Sequence, residues 1–244
     1  MGTMRSLDRY LGLAIDGAHL AYCLVVEDTL RKVGTVSLRC APGDYSDRIS
    51  ETFNMLRNSL PSTGALDGVS SSDQACFVGI RADNITPRST IAARRAYNRC
   101  RIRTIVECQS DTIFRSKPVI FKERDVLQTI GRITNERISD TPRLVECAKK
   151  RLTSLLSVDP GQFSGIAVAW ATAVCLKRRM EIESMKLDES FMQKVEERVK
   201  RDRIVADLVS AIEKEKDANI ASELQETLQC RINTLVDKQL DKLL

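Results

Sequence analysis

Arginine is concentrated in one short run of this sequence, RSTIAARRAYNRCRIR. The six arginines of the run are Arg88, Arg94, Arg95, Arg99, Arg101 and Arg103. On a helix, Arg88, Arg95 and Arg99 share one face, with Arg94 nearby and Tyr97 available for stacking. Guanidinium groups bind phosphate oxygens in pairs, and the counterions that the phosphates release add affinity. The run therefore predicts a nucleic-acid-binding helix; a solvated face, or a face that pairs with acidic segments, is the alternative.

Residues suited to catalysis are few. His19 is the single histidine, so a serine or cysteine nucleophile would have one imidazole available as its base. Its place beside a strand turn is more typical of a hydrogen-bonded structural residue. Any catalysis would therefore depend on carboxylates. Asp16, which ends an apolar run just before Gly17, is the first candidate, although an aspartate at this position is also typical of a turn.

The charge is divided unevenly along the chain. The 244 residues carry a formal net charge of +5. Residues 1–180 hold 27 basic and 18 acidic side chains, a net of +9, whereas residues 181–244 hold 11 and 15, a net of -4. This asymmetry predicts a first part that faces a polyanion and a second part with a different task.

Composition excludes several classes of protein. No run approaches the roughly 18 apolar residues that a membrane span needs, so we expect no membrane partner. The eight cysteines contain no CxxC pair and no secretory signal precedes them, which indicates reduced thiols in an intracellular protein and argues against structural zinc.

Hydrophobic periodicity predicts an α/β domain followed by a helical tail. The predicted strands cover residues 10–15, 20–26, 32–40, 75–80 and 102–107. The predicted helices cover residues 46–60, 90–101, 142–156 and 161–180. The strands at 75–80 and 102–107 are expected to pair in parallel across the arginine-rich helix, and residues 111–140 receive no assignment beyond loop with a short helix.

The tail, residues 188–244, contains neither glycine nor proline. Its apolar residues recur at helical spacing, which predicts an amphipathic helix. A single helix of this length would protrude from a small domain, so we expect either a hairpin near residues 216–219 or a coiled coil with a protein partner or a second copy. The predicted domain boundaries are therefore 8–180 and 188–244.

The phrase LGLAIDGAHLAYCLVV, residues 11–26, resembles the opening of the RNase H-like superfamily and of the eukaryotic mitochondrial Holliday-junction resolvases of the RuvC type. The resemblance implies a mixed five-stranded sheet flanked by helices over residues 8–180. It also implies that Asp16 helps to hold Mg²⁺, and that the protein is mitochondrial, although a nuclear or cytoplasmic location stays open.

Other landmarks of that family are missing from this sequence. The family's strand glutamate falls on Gly79 or Ile80, although Arg81 matches the arginine that follows it. The paired aspartates of the last helix fall near Gly161 and Ser164. One of four carboxylates, Asp16, is therefore retained in register. Asp83 and Asp159 are the displaced acids that could act as substitutes.

Three functions follow as hypotheses. The first is a nucleic-acid-binding protein derived from a resolvase, without nuclease activity and without a cofactor, that belongs to a larger complex. The second is an active, Mg²⁺-dependent, structure-selective endonuclease that uses Asp16 with unconventional partners. The third is a structural subunit whose tail binds other proteins. DNA and RNA are both open as ligands, because phosphate contacts carry no information on the sugar.

Overall fold

The computed structural model describes residues 8–16, 19–26, 29–58, 76–82, 90–152, 160–185 and 188–240. For some of these only the backbone is described, namely Asp16, Pro42, Ala82, Ala92, Arg94, Arg95, Pro160 and Leu240. The chain divides into two compact units, Met1–Lys177 and Arg178–Leu244. None of the helices in the described ranges is long and apolar enough to cross a membrane.

The first unit is built on a five-stranded mixed sheet. Its strands are β1 (Arg9–Asp16), β2 (His19–Val26), β3 (Thr29–Ser37), β4 (Cys76–Ala82) and β5 (Val119–Lys122), in the order β3-β2-β1-β4-β5. The first three strands form an antiparallel meander, and β4 and β5 continue the sheet in parallel with β1. The predicted fold class, an α/β domain with a mixed five-stranded sheet, is confirmed.

Eight helices accompany the sheet in the described part of the chain. They are α1 (Tyr45–Asn58), α2 (Thr90–Phe114), α3 (Glu123–Thr134), α4 (Thr141–Arg151), α5 (Pro160–Met185), α6 (Glu189–Arg201), α7 (Arg203–Lys214) and α8 (Ala218–Leu240). A 3₁₀ turn, Pro42–Asp44, leads into α1.

Helices α1 and α2 cover one face of the sheet. Because side chains alternate along a strand, Leu11 and Leu13 of β1 and the corresponding residues of β4 all enter this core. The helical side chains that meet them are fully or almost fully buried: Ile49, Phe53, Leu56, Ile102 and Val106. At about 25 cal/mol per Å² of apolar surface, such burial is the main stabilising term of the domain.

Helix α5 covers the opposite face. Consecutive residues Ala167, Val168 and Ala169 are all buried, so this stretch of the helix is enclosed on every side. It reaches the sheet at two glycines, Gly12 of β1 and Gly79 of β4, where the lack of a Cβ allows the helix backbone to approach closely. The small apolar residues of α5 are suited to this contact.

Two parts of the predicted secondary structure are wrong. The predicted strand at residues 102–107 is the middle of helix α2, and the strand that pairs with β4 is β5, within the residues left unassigned. The β-branched Ile102, Ile105 and Val106 favour a strand when considered alone. Burial at Ile102, Val106 and Ser110, however, recurs every four residues, which is the spacing of one helix face.

The second unit contains the last residues of α5 together with α6, α7 and α8. Phe191 and Val195 of α6 pack with Val236 of α8 in a separate small core. The Asp202 side chain accepts a hydrogen bond from the backbone N–H of Val205, at 3.1 Å, and caps α7. Residues 215–217 interrupt the helix, and α8 then packs along α7.

Candidate nucleic-acid interface

Helix α2 has two halves with different surroundings. Its second half is anchored in the core through Ile102, Val106 and Ser110, each at most 1% exposed. In its first half, residues 90–101, none of the described side chains is buried. The first half is twelve residues long, or about 18 Å at 1.5 Å per residue. Its position is therefore fixed by the buried second half of the same helix.

The first half of α2 carries a high positive charge. No aspartate or glutamate occurs between Asn84 and Val106, while five of the arginines lie in α2. Arg101 is exposed and Arg99 is half-buried. The Arg103 guanidinium donates to the Glu107 carboxylate at 2.7 Å, an i,i+4 ion pair on the helix surface. Glu107 is the first acid that follows these arginines in the sequence.

The structure places the predicted arginines in three groups. Arg99, Arg101 and Arg103 are on α2 with their side chains described. Arg94 and Arg95 are on α2 with the backbone alone described, and Arg88 lies outside the described residues. Because α2 continues through residue 103, positions 95, 99 and 103 follow one another at intervals of four along the helix.

Arg81 lies apart from this group, at the end of β4. Its side chain is 14% exposed and is 3.7 Å from the Glu123 carboxylate, at the start of α3. The Thr141 hydroxyl, at the start of α4, lies 3.5 Å from the guanidinium and donates to Glu123 at 3.0 Å. Arg81 therefore connects the ends of three elements, and no signal in the sequence indicates this pairing.

Asp16 is the last residue of β1, and its backbone pairs with His19 at the start of β2. The position of its carboxylate is not described, and Asp83 and Asp159 lie outside the described residues. Among the side chains that the structure does describe, no group of three or more His, Cys, Asp or Glu residues could hold a metal ion. The proposed pairing of Asp16 with a displaced acid stays a prediction.

The positions of the family's strand glutamate are part of the protein core. A Cβ at Gly79 would lie 3.1 Å from the Phe121 ring and 3.3 Å from the Thr172 methyl group, beneath α5. Ile80 is fully buried among apolar side chains on the other face of the sheet. A carboxylate at either position would be desolvated or would displace its neighbours. These two positions do not fit a Mg²⁺ ligand.

The start of α5 also carries uncharged residues where the family has its paired aspartates. Gly161 is exposed and Ser164 is half-buried, both within the first turns of the helix. Between them, the Gln162 side-chain carbonyl accepts a hydrogen bond from the Thr35 hydroxyl at 2.6 Å, which ties α5 to β3. At the start of α5, the described residues Gly161, Gln162 and Ser164 therefore connect the helix to the sheet, and none of the three is an anionic ligand.

Buried thiols provide no alternative nucleophile on the central strands. Burial raises the pKa of the Cys76 thiol to about 12, although the nearby Arg9 lowers it in part. Burial also raises the pKa of the Cys23 thiol. Both groups are therefore protonated at neutral pH and act as small apolar side chains.

Comparison with known proteins gives a likeness to solved structures alone. The sequence matches no protein-family model and no curated protein. The chain is similar to the structure of Thermus thermophilus RuvC in complex with a Holliday junction substrate, with 15% identity, 71% of this chain and 96% of that chain covered, and a TM-score of 0.48. It is also similar to another structure of Thermus thermophilus RuvC, with 13% identity, 70% and 96% coverage, and a TM-score of 0.47.

Proposed function

We propose that this protein binds nucleic acid through residues 90–103 of α2 and does not cleave it, as a resolvase-derived subunit of a larger complex. The observation that carries the proposal is the stretch 90–103 of α2, which is anchored in the core at Ile102 and contains five arginines and no acid. A mitochondrial location is part of the proposal and depends on the resemblance of residues 11–26 alone.

The arrangement of α2 suits phosphate binding. The second half of the helix is immobilised by Ile102 and Val106 in the core, so the first half can present guanidinium groups without first folding. Binding then releases condensed counterions from the polyanion, which is the main source of affinity for basic surfaces of this kind. Such contacts favour neither DNA nor RNA.

The absence of cleavage is supported by the residues at the family's carboxylate positions. A two-metal site needs several carboxylates to offset the charge of its ions. Gly79 and Ile80 are core residues, and Gly161 and Ser164 are uncharged. We therefore derive no hydrolytic step for this chain and propose no cofactor for it; the Mg²⁺-dependent endonuclease stays the alternative, with Asp16 as its one retained acid.

Salt-dependent binding tests the proposal. Changing Arg94, Arg95 and Arg99 to Glu should weaken binding to every sequence alike. It should also flatten the slope of log K against log salt by about 2 to 3, since each phosphate contact contributes about 0.7 to 0.9. The matched control changes Lys200, Arg201 and Arg203 to Glu. All three are exposed and belong to the second unit.

The control makes the same change in net charge, so loss of binding in both variants would indicate a general charge effect. Unchanged affinity in a folded α2 variant would show that the helix is not the contact surface. A wild-type protein without affinity at low salt would favour the scaffold function.

A second function, protein binding by the tail, is favoured by a separate observation. Ile204 and Val209 of α7 and Ile220 of α8 are 51%, 39% and 47% exposed. A two-helix hairpin has a narrow interior, and apolar side chains left outside it are typical of a surface that another helix covers. We propose this surface as the contact with the rest of the complex or with a second copy.

A further inference from the structure

We infer that the nucleic acid held by residues 90–103 has unpaired bases, and that one of these bases stacks on the ring of Tyr97. This inference rests on the proposed function and specifies its ligand class. It starts from the exposure of a single aromatic side chain and from the charge of the helix that carries it.

Tyr97 differs from every other aromatic residue of the chain. The sequence contains six phenylalanines, four tyrosines and one tryptophan, and the structure describes all of them. Ten are buried or half-buried, whereas the Tyr97 side chain is 68% exposed. Its hydroxyl makes no hydrogen bond to any described residue. A lone exposed apolar residue needs no explanation, but this ring lies within the most basic segment of the protein.

The neighbours of Tyr97 on the helix complete a binding surface for single strands. Arg101 lies one turn further along α2 and is exposed, and side chains four residues apart are neighbours on a helix surface. A flat ring next to a guanidinium can stack on a base while the cation binds the adjoining phosphate, which is how single-strand binders combine the two contacts.

A duplex would use this surface poorly. Paired bases stack on one another and present only their edges in the grooves, so a ring on a helix surface finds no base face to cover. Unpaired bases expose both faces, and all four have a π surface. A protein partner would also use tyrosine and arginine. The absence of any acid from Asn84 to Val106 favours a polyanion instead.

Three probes of equal phosphate number separate these ligands: a single-stranded oligonucleotide of about 20 nucleotides, its abasic counterpart, and a duplex of matching charge. We expect the wild-type protein to bind the single strand most tightly. Tyr97→Ala should weaken that binding by about 5- to 150-fold, the range for one stacked base, with the salt slope unchanged. Binding to the abasic strand should not change, and Tyr97→Phe should bind like wild type.

Ile133→Ala is the matched control, because Ile133 is 47% exposed and lies on α3, outside residues 90–103; it should leave all three affinities unchanged. Equal wild-type affinity for the single and abasic strands, or an unchanged affinity in Tyr97→Ala, would overturn the stacking inference while salt-dependent binding still supported the proposed function. No salt-dependent binding to any probe would overturn both the stacking inference and the proposed function.

Discussion

Gly12 of β1 and Gly79 of β4 are register partners on adjacent parallel strands, and helix α5 packs on the bare backbone of both. A Cβ at position 12 would overlap the carbonyl oxygen of Ala169 and the backbone nitrogen of Ala173, and would lie 2.9 Å from the Cα of Ala173. The approach at Gly79 is looser, with Thr172 and Phe121 side chains as its nearest neighbours. The two glycines explain how one helix packs closely on two central strands.

The first prediction concerns this contact. Gly12→Ala should destabilise the protein by about 1 to 3 kcal/mol or more, because the added Cβ would clash with backbone atoms, which cannot move away by a change of rotamer. Gly79→Ala should cost less, since its neighbours are side chains. Gly43→Ala is the control, because a Cβ there meets nothing within 4 Å, and it should stay within about 0.5 kcal/mol of wild type. Denaturant unfolding measures all three, and equal stability of the Gly12 and Gly43 variants would refute the packing argument.

The second prediction is that the purified protein cleaves neither four-way junctions nor RNA–DNA hybrids in Mg²⁺ or Mn²⁺. Restoring an acid with Ile80→Glu should not create activity, and it should instead unfold the domain, because a carboxyl group without hydrogen-bond partners is costly to bury in an apolar core, whether protonated or ionised. Cleavage is followed on labelled substrates. Metal-dependent cutting by wild type that disappears in Asp16→Asn would contradict the proposal, whereas cutting that persists in Asp16→Asn would indicate a contaminating nuclease.

The sequence predicted the β1–β3 meander, β4 and the arginine-rich helix because each has strong local periodicity. It did not predict β5, which is only four residues long and passes directly into α3 at Glu123. Such a strand is defined by its pairing with Gly79 to Ala82 of β4, and that contact is remote in sequence. The sequence also did not predict where α2 ends. Arg115, with φ of 52°, terminates the helix in a conformation that few non-glycine residues adopt, so the usual glycine signal for a helix end is missing.

Only those features of the candidate site that are local in the sequence could be predicted from it. The charge of residues 88–103 is a local property of the sequence, and the structure adds that the first half of α2 is not buried. The pairing of Arg81 with Glu123 joins two elements far apart in the chain, so composition alone could not indicate it. The exposure of Tyr97 likewise depends on where the core ends, at Ile102.

The third prediction concerns the α7–α8 hairpin. Arg231 of α8 donates through Nε to Asp202 at 3.2 Å and through its second guanidinium nitrogen to the other carboxylate oxygen. This hydrogen bond, helped by the backbone N–H of Val205, holds the pKa of Asp202 below its ordinary value. The stabilisation is therefore fully present above the unfolded pKa of about 3.9 and is lost as pH falls through the lower folded pKa.

Asp202→Asn keeps a good helix cap but loses the charge, so it isolates the ion pair. At pH 7, hydrogen exchange of peptides from residues 203–240 should be faster in Asp202→Asn than in wild type, and the difference should vanish well below pH 4. Asp202→Ala should exchange faster still, because the cap is lost as well. Glu197→Gln, at an exposed ion pair with Arg201, should change nothing. A difference that persists at low pH would show that the charge is not responsible.

The fourth prediction tests the tail as a contact surface. Changing Ile204, Val209 and Ile220 to Asp leaves the small core around Phe191 and Val236 untouched, because those residues lie elsewhere in the second unit. Self-association measured by light scattering, or capture of a defined partner, should be lost, since a charge in an apolar interface is costly to desolvate. Deleting residues 188–244 should have the same effect and leave the first unit folded around its own core. If the intact chain is a monomer and the deletion unfolds it, the tail is part of the core and the interaction fails.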